Sequence, residues 1–380
     1  MSEIRSQSAA PSSALARVTG VALPAAMWGA AVATILATCA LDGWSLRPAT
    51  WLHGDGHIYL GIADRGYDLS HCTGTELWCG NAGWFPAYPL VVHLATRAGV
   101  GLTTAGVVIS WAFVLATLVA LWTTFLGRRA DARALVVLAF AAFTPGQSFD
   151  FGVYPLSMLS FFTVLFLWRA STGRFRAAGV AGIPLVLAYP VGIAAPAAAL
   201  IYLLLTGRTA PWRDRLKHVA FVCGIPAAAL GLYFAFLQWQ LGHWNAYFLI
   251  QRHYYHRFRS PLGPTWNAIR GLPSSGLSLG ATPGYQTILV TAALALVVAD
   301  LVLRRASRGP TDLLIVLWAL GTWLIPSSTS HLTYSRGEAA LLPMAVLVGK
   351  LPTRLGVVLA VAVVALSVPM ELVLIRDLPN

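Results

Sequence analysis

His53, Asp55 and His57 stand at alternate positions in "HGDGHIYLGIADRGY", the most polar stretch near the start of a very apolar chain. Residues of these types could hold a metal, supply a general base, or cap a short helix. On a helix, His53 and His57 lie one turn apart and Asp55 points to the other side. Three ligands at this spacing share a face only in an extended segment, and no HExxH-type signature accompanies them. Metal ligation is therefore disfavoured and no cofactor is expected. Asp55 suits the N-cap of a helix that runs through Asp64 and stops at Gly66 in a left-handed cap. A capped, pre-organised carboxylate at a membrane surface is also a good general base.

The elements that must position this loop are membrane helices. The sequence is 57% hydrophobic and 11% charged, with a mean hydropathy of +0.68. A soluble domain carries roughly 25% charged residues, so this chain could not cover a soluble surface. Apolar runs near 21–41, 103–126, 134–149, 153–168, 177–190, 191–206, 218–237, 285–303, 311–326, 338–349 and 355–372 give eleven candidate spans. A full span needs about 20 residues. Several runs are shorter and are marked by Pro145, Pro155, Pro190 and Pro326, as where helices end inside a protein cavity. The expected fold is an all-α polytopic membrane protein with one transmembrane domain over 21–372. A disordered cytoplasmic N-terminus, 1–20, and a short tail, 373–380, flank it. The run from Val21 to Leu41 exceeds a signal-peptide core of roughly 7–15 residues and reads as a retained first helix.

Charge orients the helices. With the N-terminus inside, every inner turn is basic: Arg128, Arg129 and Arg133; Arg169, Arg174 and Arg176; Arg208, Arg213, Arg215 and Lys217; then Arg304, Arg305, Arg308, Lys350 and Arg354. The net charge of +12 thus reflects topology and not nucleic-acid binding. The setting is a plasma membrane, bacterial by its Arg- and Ala-rich composition. Two long segments, 42–102 and 238–286, then face outward, rich in Trp, Tyr, Gly and His. Loops of that length are functional or disordered, and this composition favours ordered ones. The first is expected to carry two interfacial helices, the second of them in "GWFPAYPLVVHLATRAG" with Pro86 in its first turn. Cys72 and Cys79 would face an oxidising compartment, where a disulfide could staple the loop tip; free thiols are the alternative.

"DGHIYLGIADRGY" followed by "GWFPAYPLVVHLA" resembles the paired motifs of bacterial PIG-V-like (GPI mannosyltransferase II-like) enzymes of the GT-C superfamily. Asp55, Tyr59, Ile62, Ala63, Gly66 and Tyr67 fit the first motif, and Phe85, Pro86, Tyr88, Pro89 and Leu90 the second. "LGHWNAYFLIQRHY", with Gln251, and "YSRGEAALLPMAVLVG", with Arg336 and Pro343, resemble two later elements. The sequence also departs from the pattern. Gly54 replaces the Trp before the acid, Leu156 a Glu, Tyr189 an Arg, and Gly337 a Tyr. The resemblance implies a GT-C-like fold, a polyprenyl-phosphate sugar donor with mannose as the default sugar, and an outward-facing site.

Such a reaction has simple needs. A lipid phosphate leaves as a stable anion and requires no acid, whereas the acceptor hydroxyl needs one base, giving inversion. Asp55 is the candidate base. Arg336, His331, Arg252, His253, Arg257 and Gln251 are candidates to bind the donor phosphate. His53, His57, Tyr59, Trp84, Tyr88, Asp150 and Trp244 are candidates to line the substrate pocket. Bland alternatives stand beside these: "QRHYYHRFR" could bind anionic lipid headgroups, and outer Trp and Tyr could form an interfacial belt. The expected partners are the polyprenyl-phosphate sugar, a hydroxyl acceptor on a glycolipid, glycan or protein, and membrane lipids. A lipid or sugar-lipid transporter or flippase, and a catalytically inactive GT-C-like accessory subunit, are the other functional readings.

Overall fold

A computed structural model describes residues 13–45, 47–144, 146–207, 211–253, 258–275, 278–304, 309–329 and 334–377. The chain is a bundle of helices with one small hairpin. In order they are α1 (Ser13–Leu41), α2 (Gly56–Arg65), β1 (Leu69–His71), β2 (Trp78–Gly80), α3 (Ala87–Arg97), α4 (Leu102–Thr124), α5 (Ala132–Ala142), α6 (Gln147–Phe151), α7 (Leu156–Ser171) and α8 (Phe175–Ala188). Then follow α9 (Ala194–Thr206), α10 (Trp212–Val219), α11 (Ile225–Leu241), α12 (Ala246–His253), α13 (Gly263–Ser275), α14 (Thr282–Leu303), α15 (Pro310–Thr329), α16 (Tyr334–Ala339), α17 (Ala345–Val348) and α18 (Thr353–Asp377).

Among the described residues, six helices are long and apolar enough to cross a membrane: within α1, α4, α10–α11, α14, α15 and α18. The helices around Ala132–Ala142, Leu156–Ser171, Phe175–Ala188 and Pro190–Thr206 are apolar but shorter. The tenth apolar run, 338–349, is no single helix. It breaks into the end of α16, a 3-10 turn at Leu342–Met344, and α17, all buried against the bundle. Hydropathy registers that the segment avoids water but not whether lipid or protein shields it. At the ends, α1 begins at Ser13, where Ala14, Leu15 and Ala16 favour helix, and α18 continues to Asp377.

Close helix approach rests on small residues. A side chain at Gly179 of α8 would overlap the Phe221 carbonyl, in the π-helical turn Ala220–Gly224 that joins α10 to α11. Tryptophan indoles then tie the spans together. Trp28 of α1 donates to the Trp111 carbonyl of α4 at 3.1 Å, and Trp111 donates to the Phe151 carbonyl at the end of α6 at 2.9 Å.

The two long segments form one cap at one end of the bundle. Helices α2 and α3 are the two short helices expected in the first of them. The hairpin pairs Leu69 with Gly80, Ser70 with Cys79 and His71 with Trp78, antiparallel, and Cys72 is joined to Cys79 by a disulfide. Asp68 closes its base: its carboxylate accepts from the Asn81 amide at 2.9 Å, and Asn81 accepts from the Asp68 amide at 2.9 Å. Trp78 packs on His243 at 4.8 Å, and Phe85 on Tyr247 at 5.1 Å, so the second segment seats on the first.

Candidate active site

Asp55 sits at the N-cap of α2, but its side chain does not cap the helix. The carboxylate turns away and forms an ion pair with Arg336 of α16, on the opposite side of the sequence. Gly66 ends α2 at φ 84° and ψ −162°, a positive-φ stop but not the left-handed helical conformation expected. The Asp55 side chain keeps 27% of its surface exposed and that of Arg336 13%, so a reactant can reach the pair.

Two tyrosines brace this pair, and both precede a proline. A residue before proline is pushed out of helical backbone. Tyr189 accordingly leaves α8 in extended conformation, φ −155° and ψ 149°, and hydrogen-bonds Arg336. Tyr154, before Pro155 and α7, donates its hydroxyl to the His53 carbonyl at 2.7 Å and accepts from the Asp55 amide at 3.1 Å. The Arg336 guanidinium lies over the Tyr154 ring at 5.2 Å and the Phe149 ring at 5.5 Å. Flat cations stack on aromatic faces in this way, which fixes the plane of the fork.

The same packing explains why no Trp precedes Asp55. Gly54 has φ 50°, and a Cβ there would overlap the Tyr154 hydroxyl and come within 3.2 Å of Arg336 Nη2. Gly54→Ala is expected to cost about 1–3 kcal/mol of stability, through strained backbone and displaced Tyr154. Thermal unfolding of the purified variant checks this; an unchanged midpoint would contradict the close approach.

His53 lies beside the pair without joining it. Its ring packs edge-on to Trp44 at 6.4 Å, and both ring nitrogens are buried. Burial lowers its pKa below the ordinary 6.5. The unfolded chain therefore binds a proton in acid that the native chain refuses, so this stabilisation is full above the ordinary value and is lost as pH falls below it. The midpoint of wild-type unfolding is expected to drop between about pH 7 and pH 5.5, and His53→Phe to flatten that slope. Equal slopes would remove His53 as the cause. His57 is exposed on the first turn of α2.

Several candidates prove to be framework. Tyr88 is fully buried; its hydroxyl donates to the Gly106 carbonyl at 2.8 Å and pairs with Ser110 at 2.9 Å. Trp84 is buried, and its carbonyl accepts from Tyr67 at 2.9 Å and Tyr233 at 3.3 Å. Neither ring presents a face to a sugar, because the Phe85–Pro86 turn folds this motif inward onto α4 and α11. Tyr59 is buried beneath the pair, stacked edge-on against Tyr154 at 6.3 Å and Tyr88 at 5.9 Å. Gln251 donates to the Gly83 carbonyl at 3.1 Å and so anchors α12 to the first loop. Asp150 is 1% exposed, with both carboxylate oxygens buried and unpartnered among the described residues, so it lines no open pocket. Arg252 and Trp244 are exposed on the cap. His253 ends α12 with its side chain outside the described residues, where His331 and Arg257 also lie.

The chain is a polytopic, all-α membrane protein with a GT-C-like fold. It is similar to the crystal structure of ArnT from Cupriavidus metallidurans bound to undecaprenyl phosphate, with a TM-score of 0.53 and 16% identity over 89% of this chain. The apo ArnT structure aligns at a TM-score of 0.48 and 16% identity, covering 86% of this chain and 60% of that one. The match covers 60% of the chain of the lipid-bound ArnT, and the likeness is one of fold. No protein-family model and no curated protein matches the sequence.

Proposed function

We propose that the chain is a membrane glycosyltransferase. It moves a hexose, mannose by the motif resemblance, from a polyprenyl-phosphate carrier to a hydroxyl acceptor, with inversion. The observation that carries this reading is the Asp55–Arg336 pair: a reachable carboxylate beside a reachable guanidinium, held by two buried tyrosines. The carboxylate takes the proton of the acceptor hydroxyl as that oxygen bonds to the anomeric carbon. The sugar–phosphate bond breaks on the opposite face, and its electron pair leaves on the phosphate. Arg336 meets the charge gathering there, since a guanidinium has five donors and can hold phosphate while still touching Asp55.

Two further points support the reading. The similar ArnT structure holds undecaprenyl phosphate, a carrier lipid without a sugar, whose phosphate is of the kind that the Arg336 chemistry suits. The "DGHIYLGIADRGY" motif places its acid where the pair forms. The outward placement of the site follows from the charge bias of the turns.

The test uses the purified full chain with polyprenyl-phosphate hexoses and a cell-envelope extract as acceptor. Release of free polyprenyl phosphate, coupled to a labelled glycan product, is the expected outcome. No release from any donor would contradict the proposal and favour an inactive subunit or a carrier.

A further inference from the structure

A concavity lies at the other end of the bundle from the Asp55–Arg336 pair. Helix α7 starts beside Tyr154 at the site and runs away from it; α8 returns to Tyr189. Their connecting turn, closed by Gly173 at φ 73°, is therefore remote from Asp55. Beside it opens a groove of about 1040 Å³ between α7, α8 and the α10–α11 junction. Its rim carries Arg169, Arg174, Arg176 and His218, and no acidic side chain among the described residues lines it. Asp214, the acid of neighbouring α10, is engaged by Lys217 at 3.5 Å. The walls below the rim are apolar: Leu165, Val180, Ala181 and Phe221 among them.

We infer that this groove binds an anionic phospholipid, with its phosphate on the arginine rim and an acyl chain along α8. Charge complementarity selects the headgroup, since a cationic cluster just above apolar walls at a membrane surface suits an anionic lipid phosphate. Depth selects a lipid over a soluble anion. The groove follows α8 from Phe175 to Pro184, about 13 Å of helix, close to the roughly 15 Å of hydrocarbon in one leaflet. The rim is also pre-shaped. Arg169 stacks on the Trp168 ring at 4.1 Å, and His218 on Phe175 at 4.2 Å, so neither side chain swings freely. The lipid clamps the α7–α8 hairpin from the end opposite to the two tyrosines that this hairpin delivers to Asp55 and Arg336. The inference concerns this groove alone and does not depend on the reaction proposed above.

The experiment titrates the purified full chain in neutral detergent with phosphatidylglycerol, phosphatidylcholine or inorganic phosphate. Retained lipid is counted by native mass spectrometry, and the unfolding midpoint is followed. Phosphatidylglycerol is expected to bind and raise the midpoint; phosphatidylcholine and inorganic phosphate are not. Arg174→Gln combined with Arg176→Gln, both exposed positions, is expected to weaken binding about thirtyfold. Ala181→Phe keeps every charge but fills the chain slot, and is expected to weaken binding about tenfold. Arg213→Gln, outside the groove, is expected to bind as wild type does. Equal stabilisation by inorganic phosphate, or wild-type affinity in either groove variant, would overturn the inference.

Discussion

Asp55→Asn is expected to lower sugar transfer by about 10³-fold, because general-base catalysis contributes roughly 10²–10⁴ and, among the described residues, no second carboxylate is paired with Arg336. The substitution keeps the size of the side chain and its backbone amide bond to Tyr154. The amide can still accept one hydrogen bond from Arg336, so the fold is expected to survive. Transfer rate and unfolding midpoint measured on the same preparation separate the two effects. A variant that unfolds says nothing for catalysis, and for that case Asp55→Glu serves. It retains a carboxylate about one methylene displaced, and is expected to keep partial transfer. Wild-type transfer by Asp55→Asn would remove Asp55 from the chemistry.

Arg336→Lys carries the second-largest expected effect. Lysine keeps the charge but loses the planar fork that reaches Asp55, Tyr189 and the faces of Tyr154 and Phe149 together. Loss of one aimed donor to a developing oxyanion costs roughly 10²–10³ in rate, and a fall of about 10²-fold in kcat/KM is expected. Binding should tell the same story. Polyprenyl phosphate is expected to bind Arg336→Lys more weakly, while the uncharged polyprenol binds both proteins alike. Equal loss for both ligands would mean that the substitution damaged the pocket as a whole.

The sequence made some of this site legible. Asp55 and Arg336 stand in motifs, and a charged residue in so apolar a chain needs a reason. Their pairing with each other was not legible, since nothing in either stretch shows that 281 positions of chain close on one point. Tyr154 and Tyr189 escaped notice for a different reason. Both lie in apolar runs, where a tyrosine reads as core, and Tyr189 registers only as the absence of an expected Arg, not as a partner of Arg336. The usable signal was local: a Tyr-Pro step at a helix break on each side of the α7–α8 hairpin.

Other misreadings share one physical cause. Trp84 and Tyr88 were candidates for the pocket because aromatic residues serve cores, interfacial belts and sugar platforms equally well. Only the fold of the Phe85–Pro86 turn decides among these. Gln251 likewise carried a plausible donor role, yet its amide is committed to the Gly83 carbonyl. The broken run at 338–349 looked like a span because burial in protein and burial in lipid leave the same hydropathy. By contrast, α2, α3 and the apolar helices were legible in outline, since periodicity and length suffice to find them.

The most direct measurement follows the anomeric carbon. Purified wild-type protein and Asp55→Asn are incubated with a polyprenyl-phosphate hexose of known configuration and an acceptor extract. Released polyprenyl phosphate and the configuration of the new glycosidic bond are then recorded. Release by the wild type alone, with an inverted product, is the outcome that a single base at Asp55 requires. Equal release by Asp55→Asn, or a product of retained configuration, would contradict it.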